Sequence, residues 1–391
     1  MPINKLWPRN DIWEKHFFSD DQAYGGAAGA TNYFDHVKTS YGESQDAKSF
    51  CEKSQLYNIE IIKALFEGWN YNLWNTATGL LYWMSQPAYP SLLWQTYDYY
   101  YEMTGNYWGA KKACEPIHIQ WNCYNNDISV VNTTLETVKG YRAKIEVYDL
   151  NGLKNNDISG KVEDITAAPN TVVNVYNLNT SGKKKLSTMQ GMFLLRLLLH
   201  DDEGRLVSEN TYWKTTLGSS KDDYRKLNDI PQADVSSEFS ILETDGTTIR
   251  ATATLKNNSS TPAFAIRLRL VDDKSQRILP VIMDDNYITL MPGESKTIAM
   301  EFENENIAGN THLLIKQYNY DEKEGGIAND IIEIQSDNAV DGLVRVYNID
   351  GTLSRVLDKN EDPRDVMLTP GIYIVGKNDG ASKSYKKIMV K

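Results

Sequence analysis

From about Ile117 onward the chain alternates apolar and polar residues in runs broken by Asn-Gly and Asp/Gly turns. That pattern admits little besides antiparallel β-structure, because a period of two puts every second side chain on one face of a sheet. "ISVVNTTLETVKGYRAKIEVYDLNGL" alternates and then breaks at Asn151-Gly152, a strong hairpin signal. "MFLLRLLLHDDEGRLVSENTYW" repeats the arrangement: apolar strand, Asp/Gly turn, second strand. By length and strand spacing, residues 117–217 read as one β-sandwich. The polar stretch "GSSKDDYRKLNDIPQADVSS" reads as a connector. A second sandwich follows, with "LMPGESKTIAMEF" as a loop-to-strand return, and it ends near Tyr320. After the charged, glycine-containing "DEKEGGIAND", a last module begins near Ile331.

The first 115 residues have a different texture. In "SQDAKSFCEKSQLYNIEIIKALFEGWNYN" the apolar residues Phe50, Leu56, Ile59, Ile62, Leu65 and Phe66 keep helical spacing after a Ser/Asp start. The short apolar run at 80–84, "LLYWM", reads as a buried strand, and "PSLLWQTYDYYYEM" as a helix entered at Pro90 and stopped by Gly105. Helix, strand, helix is an α/β signature. Eight Trp or Tyr residues fall between Tyr82 and Tyr101. Tyr and Trp carry a polar handle that a plain core has little use for. Trp83, at the end of the expected strand, is followed directly by Ser85, Gln86 and Tyr89, the mix of aromatic and polar groups that a small-molecule pocket needs. Packing between layers is the expected role of Trp94, Tyr97, Tyr99 to Tyr101, Tyr107 and Trp108.

Charge and motif content narrow the chemistry. The net charge of −11 argues against a nucleic-acid groove or an anionic membrane surface as partner, while a neutral ligand such as a sugar is allowed. No run approaches the ~18 apolar residues of a membrane span. The opening "MPINKLWPRNDIWEKHFF" lacks the apolar stretch of a signal peptide, so the chain is either cytoplasmic or begins partway along a longer exported protein. Cys51, Cys114 and Cys123 form no CxxC pair and the five histidines are scattered, so no metal site and no cofactor are expected. A glycosidase needs two carboxylates flanking the scissile bond. Ser85 and Gln86, not acids, follow the one strand of parallel type. Glu67, Asp98 and Glu102 lie on helical stretches and read as solvated or salt-bridged.

"GLLYWMSQPAYPSLLWQTYDYYYEMTGNYWGAKKACEPIHIQW" closely resembles the end of the catalytic barrel of glycoside hydrolase family 2, in the branch of exo-β-glucosaminidases and β-mannosidases. "NTYWKTT" and "LPVIMDDNYITLMPGES" are similar to the sandwiches that follow that barrel. The resemblance covers about residues 1–320. It implies a multidomain, mostly β chain: 1–115, the C-terminal portion of a (β/α)8 barrel with its last strand and helices; 116–220 and 221–325, immunoglobulin-like β-sandwiches; and 331–391, a small β-sandwich. The last module resembles type IX secretion sorting domains, which implies a periplasmic or secreted parent protein. The resemblance further implies an exo-acting retaining β-glycosidase cleaving a β-glucosaminide, β-mannoside or β-galactoside. The family's acid/base and nucleophile sit at the ends of the fourth and seventh barrel strands. Both positions would precede Met1, so no catalytic residue is assigned here. Trp83, Ser85, Gln86 and Tyr89 remain as substrate-binding candidates. Ser85-Gln86 departs from the amide, usually Asn, that commonly follows the Met, which bears on sugar preference. The implied partners are a carbohydrate and the N-terminal remainder of the same enzyme. The competing reading is a multi-domain polysaccharide-binding protein without catalysis. Against it, Trp213 is the one tryptophan past residue 121.

Overall fold

The computed structural model describes residues 5–15, 30–92, 95–216, 223–244, 248–303 and 307–327, and near the C terminus 343–348, 353–358, 371–378 and 383–390. Helices come first: α1 (Asp11–Lys15), α2 (Ala30–Tyr41), α3 (Ala47–Tyr71) and α4 (Gly105–Ala113). The long α3 starts where its sequence dictates. Asp46 caps it, accepting from the Ser49 backbone N–H at 2.7 Å, while the Ser49 hydroxyl accepts from the Asp46 N–H at 3.3 Å. Its buried face carries Phe50, Leu56, Ile59 and Ile62.

Seven strands then build the first sandwich: β1 (Ile117–Asn122), β2 (Asp127–Asn132), β3 (Val138–Tyr148), β4 (Gly160–Ala167), β5 (Thr171–Asn177), β6 (Met192–His200) and β7 (Leu206–Thr215). They form two sheets, ordered β1-β2-β5 and β4-β3-β6-β7. Between them lies a core of Ile119, Trp121, Ile128, Val130, Ile145, Phe193, Leu195 and Leu197. The Asp/Gly turn between β6 and β7 depends on Asp201, whose carboxylate accepts from the Arg205 N–H at 2.8 Å, and on Gly204 at φ +89°. At Asn151-Gly152, Asp149 accepts from the Asn151 and Leu153 N–H groups, both at 2.9 Å, and Gly152 sits at φ +85°. A Cβ on Gly152 would lie 2.8 Å from Pro292, so this turn docks on the next module as well.

The second sandwich comprises β8 (Val235–Thr244), β9 (Thr248–Asn257), β10 (Ala263–Asp272), β11 (Val281–Met283), β12 (Ile288–Leu290), β13 (Ser295–Glu303), β14 (Thr311–Lys316) and β15 (Lys323–Ile327). Its sheets run β11-β13-β9-β8 and β12-β10-β14-β15. Its core is continuous with that of the helices and with one face of the first sandwich, because the first residues of β6, Met192 to Leu195, are apolar on both sides. Phe193, Leu195 and Leu197 point into the first sandwich, whereas Met192 and Leu194 join Leu56, Trp108 and Phe264. The last described strands, β16 (Leu343–Asn348), β17 (Leu353–Asp358), β18 (Gly371–Asn378) and β19 (Lys383–Val390), form one antiparallel sheet ordered β17-β16-β18-β19, with a small core of Val344, Val346, Leu357, Tyr373 and Val375.

Two local expectations need correction. Residues 80–84 are not a strand: they run as irregular backbone, with Leu81 99% and Trp83 77% exposed. A buried strand needs ladder partners on its edges, and the described residues provide none for this one. The expected helix from Pro90 is absent over its described residues, and α4 starts at Gly105, the residue read as a helix stop. Asp98 explains the difference. Its carboxylate accepts from the N–H groups of Tyr100 at 2.8 Å and Glu102 at 2.9 Å, so the chain closes into a tight loop instead of a helical turn. Gly105 opens α4 because nothing larger fits: an added Cβ would lie 2.2 Å from the Gln55 carbonyl oxygen.

Candidate functional site

The residues singled out in the sequence lie on one surface strip after α3. Trp83, Ser85, Gln86 and Tyr89 are all exposed, and the Trp83–Met84 peptide bond is cis. The strip is pinned at Ser85, whose carbonyl accepts from the Thr96 hydroxyl at 2.8 Å and the Tyr97 N–H at 3.0 Å. The Phe66 and Tyr82 rings, 6.4 Å apart, set it beside α3. Gln86 lines an open cavity of about 770 Å³ together with Tyr99, Tyr100, Tyr101, Arg277 and Leu279. Trp83, Ser85 and Tyr89 do not line that cavity. Tyr99, Tyr100 and Tyr101 were expected to pack between layers, yet they are 42%, 48% and 53% exposed, because the Asp98 loop turns them outward. Tyr97 and Tyr107 do pack, with rings 5.2 Å apart, and Trp108 is buried. Trp94 lies outside the described residues.

Of the carboxylates read as solvated or salt-bridged, only Glu67 lies on a helix, and Glu102 is salt-bridged. Glu102 sits between two guanidiniums of the second sandwich, those of Arg267 and Arg277. Beside this pair is a cavity of about 480 Å³, walled by α3, the Asp98 loop and β10. Two further ion pairs line it, Lys316 with Glu52 and Arg269 with Glu322. Glu67 is buried. Its Oε1 accepts from Asn210 at 2.7 Å and the Tyr212 hydroxyl at 2.8 Å, and lies 3.1 Å from His118 Nε2. The other ring nitrogen of His118 is 3.0 Å from Glu115, which also accepts from Ser208 at 2.5 Å.

Burial alone would lower the His118 pKa, but hydrogen bonds to Glu115 and Glu67 overcome it and hold the ring protonated above its usual range. Glu115 is drawn down to about 2: burial opposes this, and the His118 hydrogen bond and the Lys112 charge outweigh it. Nearby Lys63, pulled down to about 8 by burial, donates to Asn210 at 2.9 Å and to the Thr211 carbonyl at 2.7 Å. This network fastens α3 to β1 and β7. Within it His118 is fully buried, and Glu115 is partly exposed. Sequence reading missed it, although "IHIQW" held a signal: His118 and Gln120 occupy alternate positions of an otherwise apolar strand, so that face must meet polar partners.

Among the described residues no group of three or more His, Cys, Asp or Glu side chains is disposed to hold a metal ion, and no helix is long and apolar enough to cross a membrane. The candidate strip is thus exposed and rich in aromatic and amide groups, and it stands on a charge-clamped scaffold.

A short helical segment followed by two immunoglobulin-like sandwiches defines the class of protein. Residues 125–217 match the family model of the mannosidase Ig/CBM-like domain, and residues 210–320 that of the exo-β-D-glucosaminidase Ig-fold domain. The chain is 32% identical over 330 residues to an exo-β-D-glucosaminidase of Amycolatopsis orientalis, covering 78% of this chain and 31% of that protein. An exo-β-D-glucosaminidase of Hypocrea jecorina is 32% identical over 276 residues, 65% of this chain and 30% of its own length. The crystal structure of the Amycolatopsis orientalis exo-chitosanase superposes with a TM-score of 0.68 at 30% identity, over 74% of this chain and 36% of that one. These likenesses support the C-terminal part of a glycoside hydrolase family 2 protein. The chain spans about a third of the length of the relatives it matches.

Proposed function

We propose that the chain serves as the C-terminal part of an exo-acting retaining β-glycosidase, with β-glucosaminides as the leading substrate class and β-mannosides and β-galactosides behind them. One observation carries the reading: the match to an exo-β-D-glucosaminidase runs through 78% of this chain yet takes in 31% of the relative. The catalytic carboxylates then belong to a preceding portion of the same protein. In this division, 1–115 is the end of a (β/α)8 barrel, 116–220 and 221–325 are its supporting sandwiches, and 331–391 is a terminal module of a periplasmic or secreted protein. Trp83 offers the flat apolar face on which a pyranose ring lies, and Gln86 a hydrogen bond beside it. Ser85 and Tyr89 complete the rim.

The test is to assay the purified chain, and the chain joined to the coding sequence that precedes it, on nitrophenyl β-glucosaminide, β-mannoside and β-galactoside. Turnover is expected from the joined protein alone, greatest on the glucosaminide. Turnover that copurifies with the chain by itself overturns the proposal.

A further inference from the structure

The Asp98 loop turns three consecutive tyrosines toward solvent, and it does so on a firmly bonded base. The Asp98 carboxylate accepts from the Tyr100 and Glu102 N–H groups, and the Asp98 N–H donates to the Glu102 carbonyl at 3.0 Å. The Thr104 hydroxyl donates to the Gln95 carbonyl at 2.9 Å. Glu102 is clamped in turn by Arg267 and Arg277 of the second sandwich. Tyr101 holds a left-handed φ of +67°, uncommon for a bulky residue, and backbone of this kind clusters at active sites and ligand clamps. The Tyr99 and Tyr100 rings meet edge to face at 5.2 Å, which sets two apolar faces nearly at right angles.

A loop that served packing alone would bury such rings. These three instead line the open cavity of about 770 Å³, whose far side is formed by Arg277 and Leu279, between β10 and β11. That volume falls within the ~300–1,000 Å³ of small-molecule sites. Arg277, the charged side chain on its wall, is paired with Glu102. Phenol rings and the Gln86 amide around a charge-matched space suit a saccharide. The ring faces take the apolar C–H side of a pyranose, while the phenol oxygens and the amide meet its hydroxyls. Tyrosine faces also attract ammonium groups, which favours an amino sugar. Gln86 belongs both to this cavity and to the strip that carries Trp83, and the Ser85 carbonyl ties strip to loop through Thr96 and Tyr97.

We propose that this cavity, with Tyr99, Tyr100 and Tyr101 on one side and Arg277 and Leu279 of the second sandwich on the other, binds the units of a β-linked amino-sugar chain that lie beyond the one at Trp83. The unit at Trp83 rests on the glycosidase reading, whereas saccharide binding in the cavity stands on the cavity alone. The second sandwich then takes part in recognition as well as support.

The test is calorimetric titration of the full chain with glucosamine, with its β-linked dimer, tetramer and hexamer, and with the matching mannose oligomers. Tyr99→Ala with Tyr100→Ala removes two rings, and Leu279→Trp fills the cavity from the sandwich side without touching the loop. Tyr124→Ala, a 95% exposed ring elsewhere on the surface, is the control. Affinity is expected to rise from glucosamine to its tetramer, to exceed that for mannose oligomers, and to be unchanged in the control. Both cavity variants should bind roughly tenfold or more weakly with circular dichroism intact, on the scale of stacking on aromatic rings. No binding of any oligomer, equal binding by the cavity variants, affinity that does not grow with chain length, or a preference for mannose oligomers each overturns the proposal. In the joined enzyme the double variant should lose more kcat/KM on the glucosamine hexamer than on nitrophenyl β-glucosaminide. Equal loss on the two substrates overturns the placement beyond Trp83. A joined enzyme that turns over no glycoside counts against the proposed function, while oligomer binding by the chain alone still upholds the cavity.

Discussion

Trp83 and Trp108 lie within one aromatic-rich stretch but in opposite environments, 77% and 6% exposed. A ring as open as Trp83 contributes little packing, so its loss should register in binding. Stacking of bases on aromatic rings, a related contact, is worth ~1–3 kcal/mol per ring. On that scale Trp83→Ala in the joined enzyme should cut kcat/KM by roughly ten- to a hundredfold with little change in Tm. Trp108→Ala should instead lower Tm through lost packing and leave kcat/KM per folded molecule nearly unchanged. An unchanged kcat/KM with a falling Tm for Trp83→Ala would assign that ring to packing. Gly109 makes a sharper case. A Cβ there would sit 2.6 Å from the Ile59 carbonyl oxygen, so α4 approaches α3 closely only because Gly105 and Gly109 present no side chain. Although alanine is the better helix former, Gly109→Ala should destabilise the protein by about 1–3 kcal/mol in urea denaturation, since the two backbones must separate. A neutral or stabilising outcome would show that α4 can shift freely.

At the scale of elements, α3 is held to the first sandwich by ionised groups, so the junction depends on pH. The folded His118 pKa is raised above its unfolded value of about 6.5, so its contribution is complete below pH ~6.5 and fades as pH rises through the folded value. Glu115 is depressed to about 2, so its contribution is complete above its unfolded value of about 4.3 and is lost as pH falls toward 2. From these two groups, stability should be greatest between about pH 5 and 6.5. His118→Gln should flatten the alkaline side of a Tm-against-pH curve and, because the His118 hydrogen bond helps hold Glu115 down, weaken the acid side as well. An alkaline side unchanged by the substitution would remove His118 from the account. This network also marks the limit of what the chain discloses by itself. The β modules are legible because turn chemistry and period-two alternation are local: Asn151-Gly152 and the Asp201–Gly204 turn sit where they read. The start of α3 is legible through Asp46 and Ser49 for the same reason. Glu67, His118 and Asn210 are not, since their meeting depends on how a helix lies across two distant strands. The loop after Pro90 misled because one side chain, Asp98, outcompetes the helix for backbone hydrogen bonds. The 80–84 run misled because its apolar residues suit a strand whose neighbours these residues do not provide.

Across the whole molecule, the two sandwiches and the helices meet at Arg196. It is nearly buried on β6 of the first sandwich, donates to the Thr289 carbonyl of the second at 3.1 Å, and pairs with Glu294 at 2.9 Å and Glu209 at 3.2 Å. Lys296 extends the cluster to Glu209 and Asp285, the latter at 2.6 Å, and Lys112 of α4 reaches Glu115 at 2.9 Å. With the apolar core continuous from Leu194 to Phe264, these contacts make the sandwiches one mechanical unit rather than beads on a linker. Removing one partner of a buried ion cluster leaves the others desolvated and unpaired, which typically costs about 3–5 kcal/mol. Arg196→Ala should therefore loosen the junction more than either sandwich, because Arg196 lies on the outer face of β6 and fills neither sandwich core. The unaltered chain should show these two modules melting in a single calorimetric transition, with Arg196→Ala splitting it in two. Arg196→Met keeps much of the side chain's volume without its charge, and should restore part of the coupling if packing shares the task with the ion pairs. A single transition in Arg196→Ala, merely shifted to lower temperature, would mean that the apolar seam alone binds the sandwiches together.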